Sequence, residues 1–352
     1  MSVMQESTSV VQPRRPWRHP AQNALTVSVI VTLSALGGAA VTARTGLAGN
    51  LGWFVSFIAC AIIVSWIAGR FRSKVAAADL VATVVIGAAA AAVVIPWTSL
   101  IYTVISNGSK VIYSGWFTTD MSVTAADDVF TVGGVSHAIV GTLIIISIAT
   151  LISVPIGIAS AVYIVEIRGR FSLLVRFLTQ AMSGVPSIVA GLFIYSTLVV
   201  LVFEKFNALA GAFALSILML PTVARTSEEV LKLVPEDLRS ASYALGASQV
   251  STTFKVTLPT VRSGLVTAAV LGVARIAGET APLLLTSLYL VSFSADLVGK
   301  PMATLPTYTF GNLQIGTENA VARAWGGSLT LLALIFVLFL IARLLAGRGP
   351  GK

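Results

Sequence analysis

Residues 225–262 read RTSEEVLKLVPEDLRSASYALGASQVSTTFKVTLPTVR, a polar stretch that separates two apolar ones. Shortly after it comes VARIAGETAPLLL (273–285), which carries an arginine and a glutamate inside hydrophobic sequence. Charged residues inside a membrane helix are unfavourable and usually functional. The two stretches together predict membrane helices joined by a long, structured loop that a soluble partner could contact.

The composition of the whole chain supports a membrane location. Its 352 residues are 56% hydrophobic and only 11% charged, with a mean hydropathy of +0.91. Soluble domains are about 25% charged, so a polytopic membrane protein is expected. The single cysteine, Cys60, excludes a disulfide within the chain, and two histidines are too few for a histidine-based metal centre. No GxxxxGK[ST] phosphate-binding loop or nucleophile–base motif occurs, so we expect no metal, no catalytic residues and no enzymatic activity.

Eight apolar segments are long enough to cross a bilayer, which takes roughly 20 residues each. We therefore predict an all-α fold with eight transmembrane helices, at 24–43, 50–68, 78–104, 137–164, 174–202, 207–224, 264–290 and 325–346. Most of the 23 lysines and arginines then fall on one side of the membrane. Because this side is normally the cytoplasm, both termini are predicted to be cytoplasmic. The net charge of +9 reflects this topology and does not indicate nucleic-acid binding.

The polar stretch 225–262 contains helical patterns of its own. SEEVLKLV (227–234) predicts a short amphipathic helix, and a second helix is predicted to begin at Pro235. The second helix carries an apolar stripe, and Gly246 is predicted to terminate it with a positive φ. Pro259 is predicted to end the last local helix before the chain re-enters the membrane. Such a stripe favours a protein interface over a lipid surface, because the neighbouring acidic residues would be repelled by anionic lipid.

The spacing of several residues in this stretch resembles the EAA coupling motif of ABC-type importer permeases. The matching positions are Ser240, Ala241, Ser242, Gly246, Val256, Leu258 and Pro259. The glutamate that is usual in the family is Ser240 here. The resemblance implies that a coupling loop, residues 225–262, docks into a cleft of an ATPase subunit.

Five further strings, in the same order, resemble the permeases of phosphate-specific ABC importers. They are GGVSHAIVGT (133–142), SVPIGIASAVYIVE (153–166), SGVPSIVAGLF (183–193), LPTVARTSEEVLKLVP (220–235) and VARIAGETAPLLLT (273–286). The resemblance covers about residues 133–346 and implies a permease in a bacterial plasma membrane. It also implies partners: a second permease of the PstC type, an ATPase dimer of the PstB type that binds ATP and Mg, and a phosphate-binding protein of the PstS type.

The composition, the predicted spans and the resemblance together predict the organisation of the chain. We expect a disordered cytoplasmic tail at 1–22, two additional N-terminal helices at 23–76, a third helix and a periplasmic loop at 77–132, the importer core with its coupling loop at 133–346, and a cytoplasmic tail at 347–352.

Arg275 and Glu279 are the strongest candidates for contact with a transported anion. They are four residues apart, so in one helix they share a face, about 6 Å apart along the axis. The guanidinium offers paired donors to phosphate oxygens, and Glu279 would hold Arg275 when the pathway is empty. A carboxylate also accepts the proton that phosphate retains at neutral pH, whereas sulfate has none. The alternative is a mutually neutralising pair that fixes helix packing.

Other residues are assigned to the same pathway. Ser183 and Ser187 flank Pro186, which interrupts helical hydrogen bonding inside span 174–202; an ordinary proline kink is the alternative. Arg225 and Thr226 lie where a span leaves the membrane, and Thr280 follows Glu279. The predicted function is a phosphate importer permease that works by alternating access. Alternatives are a permease for sulfate, molybdate or phosphonate, or a membrane-embedded enzyme or signalling scaffold.

Overall fold

A computed structural model describes residues 22–47, 49–125 and 127–346. These residues contain helices, turns and irregular segments but no β-strand, which confirms the predicted all-helical fold. They divide into two compact units at residue 100. The predicted tails, 1–22 and 347–352, lie outside the described residues except for Gln22.

The first unit consists of α1 (Gln22–Thr45), α2 (Gly49–Arg70) and most of α3 (Lys74–Gly108). α1 and α2 pack closely because small residues lie at their contact. A Cβ on Gly38 would come within 3.0 Å of the Phe57 backbone. Small residues allow such close approach of membrane helices.

The second unit begins in the last turns of α3. Its further helices are α4 (Ser136–Val162), α5 (Ser172–Ser183), α6 (Ser187–Ile194), α7 (Ala208–Lys232), α8 (Glu236–Ala244), α9 (Gln249–Thr252), α10 (Leu258–Thr260), α11 (Arg262–Ala277), α12 (Ala281–Thr286), α13 (Leu305–Ile315) and α14 (Glu318–Ala346). Three π-helical segments continue α4, α6 and α9: Tyr163–Ile167, Tyr195–Phe203 and Thr253–Thr257.

Six helices of the described residues are long and apolar enough to cross a membrane, and two bent helix pairs raise the number to as many as eight. Two of the eight predicted spans are therefore not continuous helices, and in span 174–202 the break falls at Pro186, where the sequence predicted an interruption. Span 174–202 is bent by 103° between Ser183 and Ser187. Span 264–290 ends as a helix at Ala277, and α11 is bent by 72° from the helical run before it.

Both departures have local causes. Pro186 has no N–H to continue the hydrogen bonding of α5, and its φ of −59° and ψ of 138° are extended. Gly278 stands directly after α11, and Pro282 at the start of α12 again lacks a donor. Proline and glycine thus divide two apolar segments that hydropathy alone reads as single spans.

α7 is longer than the predicted span 207–224. It continues to Lys232, so the separate amphipathic helix predicted at 227–234 is wrong. The extension is stabilised by an ion pair between Glu228 and Lys232 one turn apart, at 2.9 Å. Residues 225–232 of the coupling loop are thus a rigid continuation of a membrane helix.

α4 and α7 run parallel and form the centre of the second unit. Ser153 donates a hydrogen bond to the Ser216 carbonyl at 3.2 Å, and further along a Cβ on Gly157 would meet Val223 at 2.9 Å. Ile145, Leu215 and Met219 belong to the buried apolar cluster around this contact. Two helices packed in this way tend to move together.

The end of α4 remote from the coupling loop carries a layer built from residues 109–135 and 287–304. Trp116 is fully buried there. The carboxylate of Asp120 accepts hydrogen bonds from Ser122 Oγ at 2.6 Å and from the Phe293 amide at 2.9 Å. Asp120 thereby joins the two segments of this layer.

Candidate functional site: a coupling loop and a charged pocket

The second helix predicted in the coupling loop is confirmed as α8. Its end has the hydrogen bonds of a Schellman motif: the Gly246 amide donates to the Tyr243 carbonyl at 2.9 Å, and the Ala247 amide donates to the Ser242 carbonyl at 3.2 Å. Gly246 adopts a φ of +80°, as predicted. This conformation favours glycine because other residues place Cβ too close to the carbonyl.

After Gly246 the loop returns as one helical run from α9 to α10. Ser248 caps α9 by accepting a hydrogen bond from the Ser251 amide at 3.3 Å. Ser242 Oγ and Thr252 Oγ1 lie 2.9 Å apart and tie α8 to the returning run. Pro259 does not end this run as predicted. It lies inside α10, and the bend follows at Val261.

An apolar surface of the loop is left uncovered in this chain. Leu245 is 89% exposed, Val250 68% and Phe254 66%, and Leu238 and Tyr243 on α8 are also exposed. We call these five residues the docking surface. Clustered exposed apolar side chains of this kind mark interaction sites.

α8 is held against the second unit by a buried ion pair. Arg239 Nη2 lies 2.7 Å from Glu166 Oε1, and Arg239 Nε is 3.2 Å from both carboxylate oxygens. The side chains are only 7% and 2% exposed. These hydrogen bonds raise the pKa of Arg239, so its guanidinium stays charged. The contact joins α8 to the π-helical end of α4.

The remaining coupling-motif residues have different environments. Ser240, Ala241 and Pro259 are exposed, whereas Ser242, Val256 and Leu258 are half-buried. Leu258 packs against the apolar cluster at the end of α4 and α7, which includes Leu231. The motif therefore has an inner side that faces the helices of the second unit and an outer side open to a partner.

A charged pocket of about 180 Å³ lies where α5 meets the extended end of α7. Its lining includes three cationic residues, two acidic residues and two neutral polar residues: Arg176, Arg225, Lys232, Glu228, Glu229, Thr179 and Gln180. Glu228 is buried and accepts from both Arg176 and Lys232 at 2.9 Å. The pocket thus combines a fixed carboxylate with a surplus of positive charge.

Of the residues assigned from sequence to the pathway, Arg225 lines this pocket and is exposed. Thr226 follows it on α7 and is half-buried. Arg176, which the sequence placed inside a span without a role, proves to be the partner of Glu228. An arginine among apolar residues of α5 was the signal that could have marked it.

The predicted pairing of Arg275 and Glu279 on one helix face is wrong. Arg275 lies in the last turn of α11, whereas Glu279 lies in the break between α11 and α12. Among the described residues neither side chain has an ion-pair or hydrogen-bond partner, and Arg275 is exposed. The cause is Gly278, because a helix that stops before it cannot bring side chains four residues apart onto one face.

The two interrupted segments pack against each other. α6 and α12 approach so closely that a Cβ on Gly191 would lie 2.6 Å from Pro282 Cα. Ser187 begins α6 and Thr280 precedes α12, and both are half-buried. Ser183 is exposed at the end of α5, where its hydroxyl donates to the Gln180 carbonyl at 2.6 Å. Non-helical backbone at membrane depth occurs where protein or a cavity covers it.

The fold and this loop define a multi-pass, helical membrane permease with a structured docking segment. The chain belongs to the family of binding-protein-dependent transport system inner membrane components, whose pattern it matches over residues 153–348.

The chain is also similar to individual permeases. It is 38% identical to "Phosphate transport system permease protein PstA 1" of Mycobacterium tuberculosis (strain ATCC 25618 / H37Rv) over 253 residues, 71% of this chain and 82% of that protein. It is 42% identical to "Phosphate transport system permease protein PstA" of Yersinia pestis over 216 residues, 60% and 72% of the two chains. A solved structure of the inward-facing MetNI methionine ABC transporter matches with a TM-score of 0.45 and 20% identity, over 60% of this chain and 90% of that one.

Proposed function

We propose that this chain is the transmembrane permease subunit of an ATP-driven phosphate importer. The observation that carries the proposal is the coupling loop: it exposes an apolar surface, and a buried ion pair holds its helix α8 to the membrane helices. The resemblance to phosphate permeases supplies the substrate class. A passive channel has no use for such a loop.

The complete importer would contain other chains. A second permease of the PstC type would share the pathway, an ATPase dimer of the PstB type would bind ATP and Mg, and a phosphate-binding protein of the PstS type would deliver the anion. This chain itself would hold no cofactor and catalyse no reaction. Both termini and the coupling loop would face the cytoplasm, in keeping with the distribution of lysine and arginine.

Transport would follow from movement of the coupling loop. When the ATPases close, they would displace the docking surface, and the packed pair of α4 and α7 would carry the movement into the membrane. Access to the pathway would then switch from one side to the other. A transport pathway must bind its ion weakly enough to release it.

The charged pocket at the end of α7 suits the release of an oxyanion. Arg176 and Arg225 present guanidinium groups, which pair with phosphate oxygens through two parallel hydrogen bonds. Glu228 forms an ion pair with Arg176 at 2.9 Å and would compete with the anion for that guanidinium. We place Ser183, Ser187, Arg275, Glu279 and Thr280 along the pathway that leads to this pocket.

The substrate is tested by uptake into proteoliposomes that contain the whole importer. Radiolabelled phosphate should accumulate only with ATP and the binding protein, and excess sulfate, molybdate or phosphonate should not compete. Accumulation of another oxyanion instead would establish one of the alternative permeases. Failure of any ATPase to copurify with the chain would favour an enzyme or scaffold and would contradict the proposal.

A further inference from the structure

Arg239 connects α8 to two membrane helices at once. Besides its bonds to Glu166, its Nη1 donates to the Val234 carbonyl at 2.7 Å, and its Nη2 donates to the Leu231 carbonyl at 3.1 Å. Leu231 is in the last turn of α7, whereas Glu166 lies in the π-helical segment that continues α4. One guanidinium therefore fixes the position of α8 against the ends of both helices.

Glu166 receives the other limb of the coupling loop as well. Gln249, at the start of α9, donates from Nε2 to the Glu166 backbone carbonyl at 2.6 Å. That carbonyl lies in the last turn of a helix, where carbonyls lack an intrahelical partner. The helix stops there because Arg168 adopts a φ of +51°. Both limbs of the loop thus converge on a single residue of α4.

Burial makes this connection stiff. An exposed ion pair opens readily because water replaces each partner, but separating a buried pair leaves two uncompensated charges. Arg239 makes both kinds of pair: its contact with Glu166 is buried, whereas its contact with Glu236, at 3.2 Å, involves an exposed carboxylate. We therefore expect α8 to move as one body with the ends of α4 and α7.

The docking surface is carried by α8, by the residue directly after it and by the returning run. Leu238, Tyr243 and Leu245 are exposed, and Tyr243 stands one helical turn after Arg239. A partner that pulls on them pulls on Arg239, and through it on Glu166. The residues between partner and membrane helix form one continuous physical path.

We propose that the Arg239–Glu166 ion pair is the link that transmits movement of α8 to α4 and α7, so that both residues position the transport machinery without touching the transported ion. The inference rests on the proposed function. If the ion pair only stabilised the fold, its loss would reduce the amount of assembled importer and nothing else.

The test uses the complete importer in proteoliposomes with Arg239→Lys and Glu166→Gln. Lysine keeps the charge but loses the paired geometry, and glutamine keeps the shape but loses the charge. Glu236→Gln is the matched control, because it removes only the exposed partner. Three quantities are measured: copurified ATPase, ATP hydrolysis, and phosphate accumulated per ATP hydrolysed.

In both variants we expect the phosphate-to-ATP ratio to fall about ten-fold, within the range that single residues on a coupling path produce. In these two variants the amount of copurified ATPase should stay within about two-fold of the wild type. In the control Glu236→Gln all three measured quantities should stay within about two-fold, as is usual for surface substitutions. An unchanged ratio in both variants would overturn the inference. Loss of transport in strict proportion to assembled importer would overturn it too, since that is the signature of a stabilising role.

A second readout does not depend on the transported ion. In the wild-type importer, a non-hydrolysable ATP analogue should change hydrogen exchange in residues 160–167, and Arg239→Lys should abolish that change. If the wild type transports no phosphate but shows the exchange response, the proposed substrate fails and the link stands. If the response persists in Arg239→Lys, the link fails whatever the substrate is.

Discussion

Leu245→Ala offers a quantitative test of the docking surface. The side chain is 89% exposed and contacts little of its own chain, so its truncation should leave the isolated permease as stable as before. An ATPase cleft that buries it would gain about 0.8 kcal/mol for each of the three carbons that alanine lacks. Scaled by the exposed fraction, the loss is about 2 kcal/mol, or roughly 30-fold in affinity.

The assay is titration of purified ATPase onto the permease complex in nanodiscs, with thermal unfolding of the complex as a check on folding. Val123→Ala is the matched control, because Val123 is 82% exposed but lies in the layer remote from the coupling loop. A 30-fold weaker affinity for Leu245→Ala and no change for Val123→Ala is the expected pattern. Equal affinities for both variants and the wild type would refute the assignment of the surface.

Three further outcomes follow from the structure. Gly246→Val should destabilise the turn after α8 by about 1–2 kcal/mol. The cost is purely conformational, because φ is +80° and no atom lies within 4 Å of the new Cβ. ATPase affinity should fall in Gly246→Val and be largely retained in Gly246→Asn, and equal binding by both variants would contradict the reasoning. Arg275→Gln should abolish phosphate uptake while the subunits still copurify, and near-normal uptake would remove Arg275 from the pathway. Hydrogen bonds from the Ser122 side chain and the Phe293 amide lower the pKa of Asp120, so the contact between the two segments is fully stable above the ordinary aspartate pKa and weakens only as the pH falls through the lowered value. In Asp120→Asn, hydrogen exchange at the Phe293 amide, corrected for intrinsic rates, should already be faster at pH 7. An unaltered rate would show that the contact does not need the carboxylate.

Local chemistry explains what the sequence predicted well. Apolar length and the absence of strand patterns predicted an all-helical membrane fold, because a bilayer leaves few alternatives for the backbone. The end of α8 was equally local: Gly246 adopts the positive φ that a helix end before a turn requires. Here neighbouring residues contain all the information.

The errors arise because the average hydropathy of a segment does not show where its helix ends. Gly278 ends α11 inside an apolar segment and separates Arg275 from Glu279. In contrast, the polar residues up to Lys232 extend α7 although they resemble a separate surface helix. In both cases a few residues outweighed the average character of the segment.

By itself the sequence determined the class of fold, the approximate spans and the presence of a polar, helical loop between two apolar segments, since each depends on burial in lipid or on short-range backbone preference. Only the tertiary structure decided which charges meet. Arg239 and Glu166 are 73 residues apart, and nothing local to either residue indicates the other. The physical reason is that a buried ion pair depends on the packing of whole helices, so its partners are chosen by the path of the chain through space.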